Sequence, residues 1–599
     1  MSAEVTPRTM AGRCLVEGSA AGEVLHTDVG LSFMGGVNPR TGEVIDAHHP
    51  LRGQNVAGKV LAIPSGRGSC SGSGTLFEML LGGTAPAALV FSHTETILTV
   101  GVLIARELFG ASIPVVRLEP DDFAALGRMP WVRVIDGVLS TERDPARPSA
   151  TDRVAGRTEP PPPGADDRVA ESADLDLTGF RLSDEDQRCL AGERGEAARV
   201  ATRIVIQAAQ LEGANDLVDV ELAHVDGCFY QGPAGLRFAE RLVELGGRVR
   251  VTTTMNALCV DRRRWRRQGV APSLGEPSDA LADAYLRLGT TPTYTCAPYL
   301  LRGAPVSGQQ IAWAESNAVV FANSVIGART MKYPDYLDVL IALIGRAPYA
   351  DCHRLPERVA TVQVDVAAPA GLEDSFYPTL GYHLGTLVPN EIPVLCGLDP
   401  AAVSRDDLKA FGAAFATTSA APMFHVLGVT PEARTLDQAL GGNEPRRHVR
   451  VGRADLLATW RELNTATTAD VDLVALGNPH FSLTECERLA ALCEGREKAA
   501  DVTVTVTLGR EVYDSAQAAG FVERVEAFGA TFVTDTCWCL LTEPLIPPGT
   551  GSILTNSGKY AHYGAAATGR GLHLRSLAHC VDAVCTGRVD TALPSWLAA

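Results

Sequence analysis

The sequence predicts an α/β protein in two parts, a small β/α domain joined by a proline-rich linker to a much larger region of βαβ units. Three observations predict it. Short apolar runs alternate with segments of helical spacing through most of the chain after residue 177, the pattern of parallel sheets. Residues 141–176 interrupt that pattern with Pro145, Pro148, Pro160, Pro161, Pro162 and Pro163, many charges and few large apolar side chains. Such a composition buries too little surface to fold alone. Before the interruption, residues 1–140 carry short β-like runs around a single Gly/Ser-rich turn, and residues 177–599 form the larger region.

In the first part, Val60-Leu61-Ala62-Ile63-Pro64 reads as a strand leading into Gly66-Arg67-Gly68-Ser69-Cys70-Ser71-Gly72-Ser73-Gly74. Helical spacing resumes over residues 75–81. A strand, a tight turn and a helix N-terminus gather amides and hydroxyls around one concavity, and Arg67 adds a positive charge, which together suit an anion. The alternative is a flexible linker, but Gly/Ser linkers are seldom set between two apolar segments. The GxGxxG-like spacing is a poor dinucleotide signal here, since no glycine follows in the Rossmann pattern with an acidic residue at a strand end. Residues 89–91, 99–103 and 115–118 read as strands or short helices of the same unit.

After the linker, Ser183 is the expected N-cap of a helix with Asp184, Glu185 and Asp186 in its first turn. A long helical pattern follows over 192–211. A strand at 218–222 runs into His224-Val225-Asp226-Gly227, a helix covers 234–245, and a strand at 249–251 runs into Thr252-Thr253-Thr254-Met255-Asn256. Strand-end turns of this kind are where open α/β sheets place ligands. Further strands are expected at 392–397, at 502–507, 531–534 and 553–555, and in Leu473-Val474-Ala475-Leu476-Gly477-Asn478-Pro479-His480.

The length of 599 residues allows three or four domain-sized units. A hydrophobic content of 46% with 21% charged residues describes a globular chain. The formal net charge of −17 opposes a nucleic-acid partner. The first residues lack the basic-then-apolar order of a signal peptide and no 18-residue apolar run follows, so a cytoplasmic protein without a membrane partner is expected. The 14 cysteines include no CxxC pair of zinc-finger spacing, which argues against a structural zinc and a secreted disulfide scaffold. Cys14, Cys189, Cys352, Cys493 and Cys585 sit among apolar residues and read as small core side chains.

Three other cysteines lie in turn-forming surroundings: Cys296 in Thr295-Cys296-Ala297-Pro298-Tyr299, Cys537 in Thr534-Asp535-Thr536-Cys537-Trp538-Cys539, and Cys580 after Ala578-His579. Three thiolates that meet in space can hold an iron–sulfur cluster and leave one iron without a protein thiolate, open as a Lewis acid. The bland alternative is three buried core cysteines. Around them lie clusters of amides and hydroxyls with isolated charges. One contains Glu315, Asn317, Asn323, Ser324 and Arg329; the other contains Asn556, Ser557 and Lys559. Small polar side chains with one Arg or one Lys suit a carboxylate-bearing substrate, although the second cluster also reads as an ordinary loop and helix cap. His224 and His562 read as hydrogen-bonding scaffold, and His480 is open to either reading.

Taken together, these motifs resemble the aconitase X family. Gly-Arg-Gly-Ser-Cys-Ser-Gly-Ser-Gly at 66–74 is similar to the family's swivel domain. Thr-Cys-Ala-Pro-Tyr at 295–299, the run Ala-Glu-Ser-Asn-Ala-Val-Val-Phe-Ala-Asn-Ser-Val-Ile-Gly-Ala-Arg-Thr at 314–330, Thr-Asp-Thr-Cys at 534–537 and Thr-Asn-Ser-Gly-Lys-Tyr-Ala-His-Tyr at 555–563 are similar to its large domain. The resemblance covers the whole chain outside the linker. Small and large parts are separate subunits in archaeal members and fused, swivel first, in many bacterial ones.

The resemblance implies an aconitase-like α/β fold and a hydro-lyase. Fused bacterial members dehydrate cis-3-hydroxy-L-proline to Δ1-pyrroline-2-carboxylate, whereas split archaeal members dehydrate mevalonate 5-phosphate. It further implies that Cys296, Cys537 and Cys580 ligate an iron–sulfur cluster, 2Fe-2S or 3Fe/4Fe-4S, with Cys396 and Cys539 outside the ligand set. By likeness to the Gly-x-Gly-Ser turn of aconitases, Ser69 is the expected base and Ser71 the runner-up. Arg67, Thr254, Asn256, Glu315, Asn317, Asn323, Ser324, Arg329, Asn556, Ser557 and Lys559 are the expected binding residues for a small hydroxy acid. Two departures bear on this. Met331-Lys332-Tyr333-Pro334-Asp335 stands in place of the Asn-Arg-Glu-Gly run of phosphomevalonate dehydratases, which counts against a phosphorylated substrate. Cys70, between the two serines, is an oxidation-prone neighbour for a base. Two other readings are a catalytically silent ligand-binding homologue, marked by loss of a cluster cysteine or the loop serine, and a zinc hydrolase, marked by close-spaced ligand pairs. Neither mark is found. Nothing in the sequence sets an oligomeric state.

Overall fold

The computed structural model describes residues 8–46, 49–67, 70–142, 175–369 and 371–598. All but the ends of the expected linker, and Ser69 itself, lie outside the described residues. The chain divides into two compact units: Met1–Val218 with Gln231–Arg250 and Tyr333–Ala350, and Asp219–Tyr230 with Val251–Lys332 and Asp351–Ala599.

The first unit is built on an eight-stranded sheet. Its four central strands, Ser19–His26, Val60–Ala62, Ala88–Phe91 and Val115–Arg117, are parallel, with Val24 opposite Val60, Val60 opposite Ala88 and Leu89 opposite Val115. Antiparallel strands close both flanks: Arg13–Val16 on one side, and Trp131–Ile135, Val138–Ser140 and Thr9–Ala11 on the other. The strands Val60–Ala62 and Ala88–Phe91 are buried at every residue, as expected of strands covered on both faces, which read as unbroken apolar runs. Residues 99–103, ambiguous in the sequence, belong to the helix Ile97–Phe109. The Gly/Ser turn feeds the helix Gly72–Gly82, which stops at Gly83, left-handed at φ 77° with its N–H bonded to the Met79 carbonyl.

That helix carries the unit's packing against residues 231–250 and 333–350. Glu78 accepts the Ala234 N–H at 2.9 Å and so caps the helix Pro233–Glu244. Gly232 is required there, since a Cβ would stand 2.3 Å from the Glu78 carboxyl. Phe77, Phe238 and Tyr336 meet beside it edge-to-face or tilted, with ring centroids 4.3 to 6.1 Å apart.

The second unit holds three wholly parallel sheets, as the βαβ alternation predicts. Their strand orders are Thr252–Met255, Leu222–Val225, Ile311–Trp313; then His425–Val426, Pro393–Cys396, Val362–Val366, Arg447–Val451; and Thr531–Val533, Thr503–Thr507, Leu473–Leu476, Ser552–Thr555, Gly571–Leu574. Ser404 with Asp407 and Ser482 with Glu485 form reciprocal capping boxes that start two of the covering helices. Three sequence expectations shift. The run read as one strand at 218–222 divides into Leu217–Asp219 and Leu222–Val225. The strand read at 249–251 forms instead at Thr252–Met255, where three β-branched threonines and a methionine pair residue for residue with Leu222–Val225. The helix read from 192 begins at Glu196, because Gly192 and Gly195 take φ of 80° and 93° and turn the chain before it. No helix among the described residues is long and apolar enough to cross a membrane.

Candidate active site

The second unit gathers polar residues at the carboxyl ends of two of its parallel sheets. Leu222–Val225 runs directly into Asp226, Thr252–Met255 into Asn256, and Ile311–Trp313 into Ala314 and Glu315. Because the three strands are parallel and in register, their ends lie side by side. Asn256 donates its amide to Asp226 and, at 3.2 Å, to Glu315 Oε2. Asn317 donates to Glu315 Oε1 at 2.6 Å and to the Cys296 carbonyl at 3.0 Å, while the Tyr299 hydroxyl donates to Asn317 Oδ1 at 2.8 Å.

The five-stranded sheet supplies the other half. Leu473–Leu476 ends at Gly477 and Asn478, Thr531–Val533 leads to Cys537, and Ser552–Thr555 leads to Asn556 and Ser557. Gly477 is needed for the turn, because its φ is 95° and a Cβ would lie 2.1 Å from the Thr507 carbonyl oxygen. Ser557 caps the helix Gly558–Thr568 by accepting the Tyr560 N–H, and Lys559 stands in its first turn. A cation there faces the positive end of the helix dipole, so helix stability does not explain it. Lys559 reaches Glu315 Oε1 at 2.8 Å.

Charge in this floor is held by pairing. Burial alone would raise the Glu315 carboxyl, but the Lys559 ammonium and the Asn317 and Asn256 amides hold it below its ordinary value. Burial would likewise strip the Lys559 proton, yet Glu315 and the nearby thiols keep it well above the ordinary lysine range. Burial pushes His224 down to about 3 and His480 to about 4, so both are neutral. His224 bonds Thr254 Oγ1 at 2.7 Å and belongs to the scaffold of the strand pair.

Beside the floor, three cysteines come together, and they are not the expected three. Cys296 and Cys537 share a buried cluster with Ala257, against which Cys539 and Leu540 pack. The Asn478 amide lies 3.0 Å from Cys537 Sγ and 3.3 Å from Cys539 Sγ, and its oxygen accepts from Ser557. The hydrogen bond with Cys296, and after it burial, pushes Cys537 up against a lowering bond with Cys539, while the bond with Cys537, and after it burial, pushes Cys539 up. Cys580 is not brought to them. It sits on the helix Leu577–Thr586 within a separate apolar cluster that includes Leu489, Val506 and Val581, and its electrostatic neighbours are Asp374, Arg575 and Asp582. The turn at 537–539 places a second sulfur two residues from the first, which a helix-borne thiol in another core does not do.

Of the remaining expected site residues, Asn256, Glu315, Asn317, Ser557 and Lys559 join this floor, and Asn556 lines a pocket with Lys409, Asn478 and Ser557. Asn323 and Ser324 are brought elsewhere. Asn323 is consumed by Thr330, the Pro422 carbonyl and Arg358, and Ser324 accepts the Phe424 N–H. Arg329 lies near His353, which burial first, then Arg358, and last Arg329 hold down at about 3. In the first unit, Arg67 is met by Asp46 at 2.9 Å, which offsets the charge read into the turn. Ser71 is buried at the N-cap of Gly72–Gly82, and Cys70 beside it is fully buried, which shields it from the oxidants its sequence position suggested. Sequence reasoning placed Asp226 in a strand-end turn without giving it a role, missed Tyr299 and Asn478 as site residues, and set Cys539 aside. Asn478 had a legible signal, an Asn-Pro-His immediately after an apolar strand and a glycine.

Among the described residues, no set of three or more His, Cys, Asp or Glu side chains is already drawn up around a metal-sized centre; the three thiols are linked by hydrogen bonds through Cys537. In chemistry they fit an iron–sulfur group: three soft donors, buried, with an amide donor aimed at two sulfurs and an ammonium nearby to offset thiolate charge.

The fold and this floor define an aconitase-type α/β enzyme, and the chain belongs to the aconitase X family. The family's swivel domain matches residues 9–141, its first domain 179–355, its second 360–461 and its third 471–586. The chain is similar to a cis-3-hydroxy-L-proline dehydratase of Pseudomonas aeruginosa, 52% identical over 99% of this chain and 98% of that protein. A protein of the same description from Hypocrea jecorina is 50% identical over 98% of this chain and 97% of its own. The crystal structure of Thermococcus kodakaraensis aconitase X in its holo-form is 31% identical, with a TM-score of 0.61, over 68% of this chain and all of that one.

Proposed function

We propose that this aconitase X hydro-lyase removes water from cis-3-hydroxy-L-proline. The observation that carries the proposal is the buried Lys559–Glu315 pair beside three thiols and an Asn-rich floor, in a chain half identical over its length to two proteins described as acting on that compound. A relative described as a phosphomevalonate dehydratase large subunit, from Methanothermobacter thermautotrophicus, is 34% identical and spans 64% of this chain. Together with the absent Asn-Arg-Glu-Gly run, this favours an amino-acid-like substrate.

In the reaction, the carbon bearing the carboxylate loses its proton and the neighbouring carbon loses hydroxide. The enamine left behind tautomerises to Δ1-pyrroline-2-carboxylate. In the cis isomer the hydroxyl shares a ring face with the carboxylate, so the proton leaves from the opposite face and base and hydroxyl acceptor must be different groups. Lys559, with two N–H donors beyond its bond to Glu315, holds the substrate carboxylate. Glu315, held as a carboxylate by Lys559 and by the Asn317 and Asn256 amides, attracts the ring ammonium, with Asp226 beside it through the shared Asn256 amide. Cys296, Cys537 and Cys539 would hold the iron–sulfur group, with Asn478 orienting two of them. When bound, that group supplies a Lewis acid for the departing hydroxyl. A serine of the 66–74 turn takes the proton; Ser69 is favoured, with Ser71 the alternative.

The test is anaerobic purification followed by iron and sulfide analysis and an assay of pyrroline formation from cis-3-hydroxy-L-proline, on the wild type and on Ser69→Ala and Ser71→Ala. Iron, sulfide and product are expected, with product lost in Ser69→Ala at unchanged iron content. Iron and sulfide with no product would reject the substrate. Absence of iron would reject the thiol assignment.

A further inference from the structure

His480 is fully buried and both of its ring nitrogens are engaged. Nε2 lies 2.7 Å from the Thr536 carbonyl oxygen and Nδ1 3.0 Å from Thr295 Oγ1. A carbonyl only accepts, so Nε2 carries the ring proton and Nδ1 accepts from the Thr295 hydroxyl. Thr295 Oγ1 in turn accepts the Ala297 N–H at 3.1 Å. One neutral tautomer thus ties together the residues on both sides of Cys296 and the residue just before Cys537. The backbone joins in: the His480 N–H points at Cys296 Sγ at 3.4 Å, and the His480 carbonyl accepts from the Lys409 ammonium at 3.2 Å. Two residues earlier, Asn478 reaches the other two sulfurs.

We propose that His480 is a positioning residue, a rigid strut that sets the separation of the Cys296 and Cys537 loops and through it the retention and electronic state of the iron–sulfur group. The inference rests on the thiol assignment made above. The physical reason is one of tolerance. Thiolates must sit within about 0.2 Å of their ligating positions, and Cys296 and Cys537 come from loops 241 residues apart in sequence. A planar imidazole has one fixed span between its nitrogens, so a bond at each end holds that spacing in a way a flexible chain does not. Groups outside the ligand set commonly govern metal sites by this route, with losses of about 10- to 100-fold in affinity when they are removed.

The test uses the full chain purified anaerobically as wild type, His480→Phe, His480→Gln and Thr295→Val. Phe keeps a ring but removes both bonds, Gln keeps an acceptor and a donor at shorter reach, and Val removes only the hydroxyl partner. Readouts are iron and sulfide per chain, the rate of iron loss to a chelator, visible circular dichroism, and far-UV circular dichroism as a check of folding. Expected are a wild-type far-UV spectrum throughout, iron loss accelerated about 10- to 100-fold in His480→Phe, a smaller change of the same sign in Thr295→Val with altered visible bands, and partial rescue by His480→Gln. Wild-type chelator resistance and visible bands in His480→Phe would overturn the proposal. If His480→Phe does not fold, unchanged chelator resistance in Thr295→Val overturns it instead. A wild type without iron would overturn the thiol assignment and the strut with it, a result distinct from an intact wild-type cluster with indifferent variants.

Discussion

The Lys559–Glu315 pair yields the sharpest prediction. Replacing Lys559 by Met keeps much of the side-chain volume and removes the charge. Glu315 then retains two Asn amides but no counter-ion, in a site where the two side chains are 13% and 11% exposed. Breaking one partner of a buried pair costs about 3–5 kcal/mol, a large share of the roughly 5–15 kcal/mol that stabilises a domain. The double variant Lys559→Met/Glu315→Gln removes the orphaned charge and should be more stable than Lys559→Met by at least about 1 kcal/mol. The pH dependence has a definite sign. In the wild type the Glu315 carboxyl is held below its ordinary value, so its contribution is present above the unfolded pKa and is lost as pH falls through the folded one. In Lys559→Met the ammonium is gone and burial raises the carboxyl, so the variant's deficit is largest near pH 8 and shrinks toward pH 5. Urea unfolding followed by tryptophan emission measures this, since Trp313 and Trp538 are buried beside the site. A Lys559→Met transition coincident with wild type at pH 8, or a deficit that does not shrink in acid, would refute the reasoning.

Two further outcomes follow from side-chain placement. Cys539→Ser should lower iron content strongly while Cys580→Ser leaves it near wild type, because only the former packs against Cys296 and Cys537; iron analysis showing the reverse would restore the ligand set read from sequence. In the first unit, burial, reinforced by the Glu212 charge and offset by the Leu98 and Thr99 amides, lifts Glu95 to about 7. The folded state then holds that proton more tightly than the unfolded one, so stability is greatest in acid and is lost as pH rises through about 7. Glu95→Gln, neutral throughout, should gain on wild type by up to about 3 kcal/mol between pH 5 and 9; parallel unfolding curves across that range would contradict it.

How far the fold was legible depends on how local its signals are. Alternating apolar runs and helical spacing marked the parallel sheets of the second unit, and Ser183 marked a helix start through a cap that acts within three residues. The strand at Thr252–Met255 was misplaced by three residues because Val249-Arg250-Val251 alternates as well as the true strand does, and only pairing with Leu222–Val225 chooses between them. Asn256 was readable as a candidate because residues immediately after parallel strands fall at the sheet's ligand-binding edge, and Glu315 because it stands in a cluster of amides and hydroxyls.

What the sequence determined by itself was the class of fold, the family, and the residue types gathered at strand ends, since periodicity, turn chemistry and motif order are properties of short stretches. Which thiols meet was decided by tertiary structure alone. Cys296, Cys537, Cys539 and Cys580 all stand in plausible surroundings, but a helix carries Cys580 into a separate apolar cluster, while the 537–539 turn carries Cys539 beside Cys537. The same holds for Asn323, whose amide is spent on Thr330, Pro422 and Arg358 although its sequence neighbours Glu315 and Asn317 line the site. Approach between distant segments is set by how whole sheets and helices pack, and that information is not present in the spacing of residues along the chain.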